Sequence, residues 1–220
     1  MKTKIILTAL LSTLLLNVNA EQATGLSGEI EAGYKSQHHR RGEIVSQDAV
    51  QTGASVTSSV NGVGITGKLF TSQSIDSGSD SLEASGGFNL SLNDKLSLYA
   101  GLYNTDNDVT GSTLEGLLAL NVDTLLSPTL TVYRDVSDEL YTVDARVTDQ
   151  FTTAGLDINL DALIGWTENT EQTDTTYYEA GVGVQKQIKQ NVSIGADVSW
   201  SDSDTRDDEW IYATALTIKF

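Results

Sequence analysis

Leu156-Asp157-Ile158-Asn159-Leu160-Asp161-Ala162-Leu163-Ile164-Gly165-Trp166 separates its side chains by parity. Leu156, Ile158, Leu160, Ala162, Ile164 and Trp166 fall on one face of an extended chain, and Asp157, Asn159 and Asp161 on the other. A period of two is the signature of a strand with one apolar and one polar face. The same alternation recurs outward from this stretch. In 81–92 it sets Leu82, Ala84, Phe88, Leu90 and Leu92 against Ser81, Glu83, Ser85, Asn89 and Ser91. In 191–200 it sets Val192, Ile194, Ala196, Val198 and Trp200 against Ser193, Gly195, Asp197 and Ser199. It persists to the last residue, where Trp210, Tyr212, Thr214, Leu216, Ile218 and Phe220 share a face.

Turn residues between such runs divide the chain into twelve strands, the first two at 26–37 and 48–60 and the last two at 191–201 and 209–220. The connections alternate in length. Asn61-Gly62, Asn93-Asp94, Leu126-Ser127-Pro128 and Thr152-Thr153 are short, whereas 74–80, 105–111, 167–174 and 201–209 are longer, polar and mostly acidic. An even number of strands with short turns at one rim and longer loops at the other predicts an all-β fold, a transmembrane antiparallel up-and-down β-barrel. Closure satisfies every backbone group, as a hydrocarbon environment requires. A soluble barrel would bury the apolar face instead. Two features favour lipid outside. The apolar face carries no charge at mid-strand, where Lys or Arg would cost about 2–4 kcal/mol. Its aromatic residues also sort by depth: Trp166, Trp200, Trp210, Tyr34, Tyr141 and Tyr178 toward one rim, Phe151 and Phe220 toward the other. This is the pattern of interfacial girdles.

The first twenty residues read as a secretory signal rather than fold. Lys2 and Lys4 precede an apolar run from Ile5 to Leu16, and Val18-Asn19-Ala20 is a small-residue cleavage site. The chain is thus expected to comprise a signal peptide at 1–20 and an outer-membrane β-barrel domain at 21–220. Loss of Lys2 and Lys4 takes the formal charge from −17 to −19. Such acidity argues against nucleic acid as a partner. The absence of cysteine excludes a disulfide scaffold.

An acidic barrel with a terminal aromatic residue resembles Gram-negative outer-membrane proteins, whose final Phe belongs to the signal read by the barrel-assembly machinery; Phe220 within "ALTIKF" occupies that place. More narrowly, Gly33-Tyr34-x-Ser36, Arg41-Gly42, Gln47 and Ala49-Val50-Gln51-x-Gly53 resemble the opening of the TorF-like porins. That family favours aromatic or apolar residues where this chain has His38-His39-Arg40. The resemblance implies a barrel in the outer membrane of a Gram-negative bacterium with a loosely defined transport role. It supplies no catalytic residues.

Strand parity places Glu29, Glu31, Lys68, Glu83, Glu115, Asp123, Asp144, Arg146, Asp157, Asp161, Glu179 and Asp197 on the inner face, joined at the mouth by Lys35. The acidic excess favours cations over anions in a pore. The expected function is a porin-like channel for passive diffusion of small cationic or neutral solutes. The same charges could instead pair across a narrow lumen and fill it. That would leave a non-conducting barrel with an adhesive or surface-organising role.

The stretch "GYKSQHHRRG" at 33–42 holds both histidines. His38, His39, Arg40 and Arg41 are expected to form the first outer loop, a basic element at an acidic extracellular mouth. There it could pair with the acidic loops, fold over the opening or meet lipopolysaccharide phosphate. Adjacent histidines on an extended chain point apart, so no metal site is expected. No recognisable catalytic motif is present, and no cofactor is implied. A rim hydrolase using His38 or His39 beside Asp202-Ser203-Asp204 is the remaining enzymatic alternative. Outer-membrane lipids, lipopolysaccharide and small solutes complete the expected partners.

Overall fold

The computed structural model describes residues 25–60, 62–75, 78–108, 111–169 and 173–220. The expected signal peptide, the chain start at 21, Asn61 and parts of three loops lie outside them. The described chain forms twelve strands: β1 Leu26–Arg40, β2 Glu43–Val60, β3 Val63–Ser74, β4 Ser81–Asn93, β5 Leu96–Asn107, β6 Gly111–Val122, β7 Thr129–Asp135, β8 Tyr141–Thr153, β9 Leu156–Thr167, β10 Thr175–Lys189, β11 Val192–Ser203 and β12 Arg206–Lys219. Each pairs antiparallel with its neighbours in sequence, and β1 pairs with β12 to close the barrel. This is the up-and-down barrel predicted by the alternation.

Burial is inverted relative to a soluble protein. Among the described residues the buried set is dominated by Ser and Thr with Asn107, Glu115 and Asp135, while Phe88, Leu102, Leu118, Ile164, Ile194 and Leu216 are exposed. An apolar surface this continuous is unstable in water and matched to hydrocarbon. Trp210, Trp166, Tyr141 and Tyr178 stand exposed near the loop rim, and Phe151 and Phe220 near the turn rim. Inside, bulky residues are accommodated by glycine. The Tyr177 ring lies so close over Gly165 that a Cβ there would sit 2.2 Å from it. Any side chain at 165 would push the ring into the lumen.

Two hairpins at the loop rim differ from the sequence reading. The acidic stretch at 201–209 is no long loop: β11 and β12 continue to a two-residue turn at Asp204-Thr205. The backbone ladder continues here although both faces are polar, so alternation fades while pairing persists. The first hairpin departs further.

Candidate functional site

The expected outer loop at His38–Arg41 is corrected by the structure. His38, His39 and Arg40 complete β1, and Arg41 and Gly42 form a tight turn at φ 54° and 81°. Positive φ at both central positions is the requirement of a type I′ hairpin, which Gly42 meets without strain. The hairpin does not stay in the wall. Pairing of β1 with β12 stops at Lys35–Ala213, and pairing of β2 with β3 stops at Ala49–Ser74. Beyond those points β1 and β2 pair only with each other, out to Arg40–Glu43. Their shared end turns inward and crosses the lumen.

Its contacts trace that path. His38 Nε2 lies 2.8 Å from Glu83 Oε1 on β4, with the Phe70 ring of β3 at a centroid distance of 5.2 Å. Arg40 Nη2 donates to Glu115 Oε2 at 3.1 Å, and Arg41 donates to both oxygens of the same carboxylate. Glu115 stands on β6, half-way round the strand order from β12. The Arg40 guanidinium sits 5.3 Å from the Tyr103 ring centroid, and that of Arg41 4.8 Å from Tyr133. On the near wall, Gly42 O accepts from Arg206 Nε at 3.1 Å and Ser203 Oγ at 3.3 Å. These residues are therefore no exposed loop. A tip carrying two guanidiniums was drawn to the buried carboxylate because either charge left alone in that setting would be costly.

The other inner residues form two groups. Glu83 also accepts from the Tyr103 hydroxyl at 2.6 Å, and Asp144 accepts from Tyr177. With Glu115 they make a ring of carboxylates at the level of the hairpin tip. Nearer the turn rim, Glu31, Lys35, Asp161, Glu179 and Asp197 line a cavity of about 340 Å³. Arg146 Nη1 donates to Asp161 at 2.7 Å, Asp157 accepts from Thr152 at 2.6 Å, and Lys219 Nζ is 3.8 Å from Glu29. Lys68 faces inward, as shown by its register with Ser55 and Ser85. Asp123 lies just beyond the end of β6, exposed in the turn before Pro128, with its N–H donating to Lys95 O at 2.7 Å.

Sequence reasoning missed Tyr103, Tyr133, Tyr177 and Arg206. Inward parity was available for the three tyrosines, whereas Arg206 shares the parity of Trp210 and is turned inward by the register shift between Ser201–Glu209 and Ser203–Arg206. The role of all four depends on a hairpin whose position was not legible. Toward the loop rim a vestibule of about 530 Å³ opens, lined by Arg40, Arg41, Glu43, Glu83, Asn107 and Glu168 among others.

One cluster imitates a catalytic triad. His39 Nδ1 is 3.0 Å from Ser201 Oγ, and its Nε2 is 3.5 Å from Glu209 and 2.8 Å from Gln37 Oε1. Arg206 Nη2, however, reaches both Ser201 Oγ at 2.9 Å and His39 Nδ1 at 3.3 Å. The nitrogen that would have to take the serine proton is already facing a donor. The cluster serves as a clasp that holds the hairpin to β11 and β12. Among the described residues, no group of three or more His, Asp or Glu side chains is arranged to hold a metal ion.

No family model matches the chain, and no curated protein matches it. Solved structures do. The chain is similar to KdgM porin, with TM-score 0.59 over 87% of this chain and 99% of that one at 14% identity. NanC porin gives 0.56 over 88% and 98% at 14% identity. An outer membrane channel from Pseudomonas putida F1 gives 0.59 over 91% and 97% at 11% identity. At such identities the likeness is one of fold: a closed barrel of the kind found in outer-membrane porins.

Proposed function

We propose that this chain is a porin-like channel of the Gram-negative outer membrane, passing small cationic or neutral solutes by passive diffusion. The carrying observation is the polar, cavity-bearing lumen enclosed by an apolar outer belt. The acidic chamber supports the charge preference: Glu31, Asp161, Glu179 and Asp197 face it, with Lys35 the cation among its lining residues. Carboxylates in a confined space lower the barrier for cations and raise it for anions. The loop rim, carrying the vestibule, would face outward, and the turn rim with Phe220 the periplasm. Membership of the TorF-like porins, contact with lipopolysaccharide and recognition by the assembly machinery belong to the same reading.

Purified protein in planar bilayers, held in a salt gradient, tests it. The expected reversal potential is that of a cation-preferring pore. The combined substitution Glu31→Gln, Asp161→Asn, Glu179→Gln and Asp197→Asn should move it toward zero. Anion preference in the unaltered protein would remove the selectivity claim. Silence at every voltage, in the unaltered protein and in variants that clear the lumen, would remove the channel. A hairpin lying across the lumen favours one alternative, a non-conducting barrel with a surface role, and the same recording separates the two.

A further inference from the structure

We propose that the distal third of the β1–β2 hairpin, from Ser36 to Asp48, is a hinged gate latched onto Glu115. The proposal rests on the channel reading above and adds its regulation.

Three observations carry it. First, the segment is cut free of the wall along both edges at one level. The register runs Lys35–Ala49 and then Gln37–Gln47, so Ser36 and Asp48 stand opposite each other at the point of departure. Asp48 adopts φ 44°, a left-handed conformation uncommon for a residue with a side chain. A strand bends there, and a change at two opposed residues would swing the whole end. Ser36 Oγ accepts from Tyr212 N at 3.0 Å, and Asp48 Oδ1 accepts from the Tyr34 hydroxyl at 2.5 Å. These side chains, with one backbone bond from Ile75 N to Asp48 O at 2.8 Å, hold the pivot where the strand ladder has ended.

Second, beyond the pivot no strand ladder joins the hairpin to the wall. It is held instead by His38–Glu83, Arg40 and Arg41 on Glu115, the His39, Ser201 and Arg206 clasp, and single bonds from Ser72, Ser74 and Ser79 to Ser46, Gln47 O and Val45 O. A ladder breaks only as a unit, whereas these are separate side-chain contacts. Glu115 is the convergence point: one carboxylate, 3% exposed, receives two guanidiniums from the tip. Loss of that one group would release both.

Third, the segment lies between spaces. The vestibule is lined by Arg40, Arg41 and Glu43 on one side of the tip. On the other side a pocket of about 210 Å³ is bounded by Arg41, Gly42, Tyr103, Tyr133 and Tyr177. Outward rotation would join the vestibule to the acidic chamber beyond. Ser46, in the departing part of β2, bonds Ser72 of the β3 wall through their hydroxyls at 2.6 Å. That contact is possible only in the folded-in position, because continuing the β2–β3 ladder past Ala49–Ser74 would carry Ser46 well away from Ser72.

The test is single-channel recording on the full barrel, with heat-modifiable gel mobility as the check of folding. Three proteins are compared with the unaltered one. In the first, residues 38–46 are replaced by Asn-Gly, which can close the paired Gln37 and Gln47. The second is Glu115→Gln. The third carries Ser46→Cys and Ser72→Cys, the only cysteines in a chain that has none. Shortening should raise unitary conductance several-fold. Glu115→Gln should raise the open fraction at little change in unitary conductance. The cysteine pair should close the channel when oxidised and restore it on reduction. Should the shortened barrel fail to fold, the other two variants decide. Equal conductance in shortened and unaltered barrels, or an oxidised pair that conducts freely, would overturn the gate and leave the channel standing. Silence in every folded variant, including the shortened one, would overturn the channel and the gate with it.

Discussion

The β1–β2 and β11–β12 hairpins end at the same rim in turns of two residues, Arg41-Gly42 and Asp204-Thr205. They meet opposite fates. The β11–β12 end stays in the wall: β11 remains paired to β10 as far as Tyr177–Ser203, and Asp204 N donates to Thr176 O at 3.0 Å. The β1–β2 end leaves the wall on both edges and crosses the lumen. Both turns have two residues, but Arg41 and Gly42 have positive φ whereas Asp204 and Thr205 do not, and β1 and β2 are the longer strands. The tips differ also in charge. One tip carries Arg40 and Arg41, and the other Asp202, Asp204, Asp207 and Asp208, while the inner ring offers Glu83, Glu115 and Asp144. An acidic lumen draws in the basic hairpin and keeps the acidic one at the water-facing rim. A single barrel can therefore sort its own extensions by sign.

The most damaging way to break this comparison is to reverse the basic tip. Arg40→Glu with Arg41→Glu would place three carboxylates together where a buried pair now stands. Stranding a buried partner costs about 3–5 kcal/mol, so the hairpin should undock completely. Limited proteolysis should then cut near Gly42 in a barrel that otherwise keeps its folded gel mobility. An uncut tip would show that charge is not what sorts the hairpins.

Next in size is a test of the wall itself. Leu160→Arg puts a cation on the lipid face and should cost about 2–4 kcal/mol in denaturant unfolding from lipid vesicles if the site lies near the bilayer midplane. Asp161→Asn, its inward neighbour, should stay well below that. Equal effects would mean that the two faces are wrongly assigned.

Tyr177→Phe sharpens the role of the inner ring. Removing the hydroxyl leaves the Asp144 carboxylate without that donor, a loss of about 1–3 kcal/mol for a buried acceptor. The same unfolding measurement should register it, and the loss should persist when residues 38–46 are removed, since both residues belong to the wall.

Asp207→Ala should have the smallest effect. Asp207 is exposed, and its side chain takes no part in the clasp, so the change should fall within about 0.5 kcal/mol. A larger effect would mean that the acidic hairpin is held by its charges as the basic one is.

How legible was all this before folding? The twelve strands, their order and the two faces follow from parity, because alternation is a property of each strand alone. Leu160 faces outward and Asp161 inward whatever the neighbouring strand does. The inner placement of Glu31, Asp161, Glu179 and Asp197 was legible on the same ground. The strand ends were not. Past the level of Tyr34 and Trp210 the alternation that marks a strand is lost, with polar residues on both faces of β1, β11 and β12 and Ile44 beside Val45 on β2, just where these strands continue.

By itself, then, the sequence determined a barrel with an apolar exterior, an acidic interior and alternating turns and loops, since each of these is written in local periodicity and composition. Only the tertiary structure decided where the basic cluster goes. Its partners, Glu83, Glu115, Ser201 and Arg206, lie 45 to 167 residues away along the chain and come within reach only when β12 closes on β1. Electrostatic pairing acts through space rather than along the chain, so "GYKSQHHRRG" looks like a surface loop until the barrel has put carboxylates opposite it.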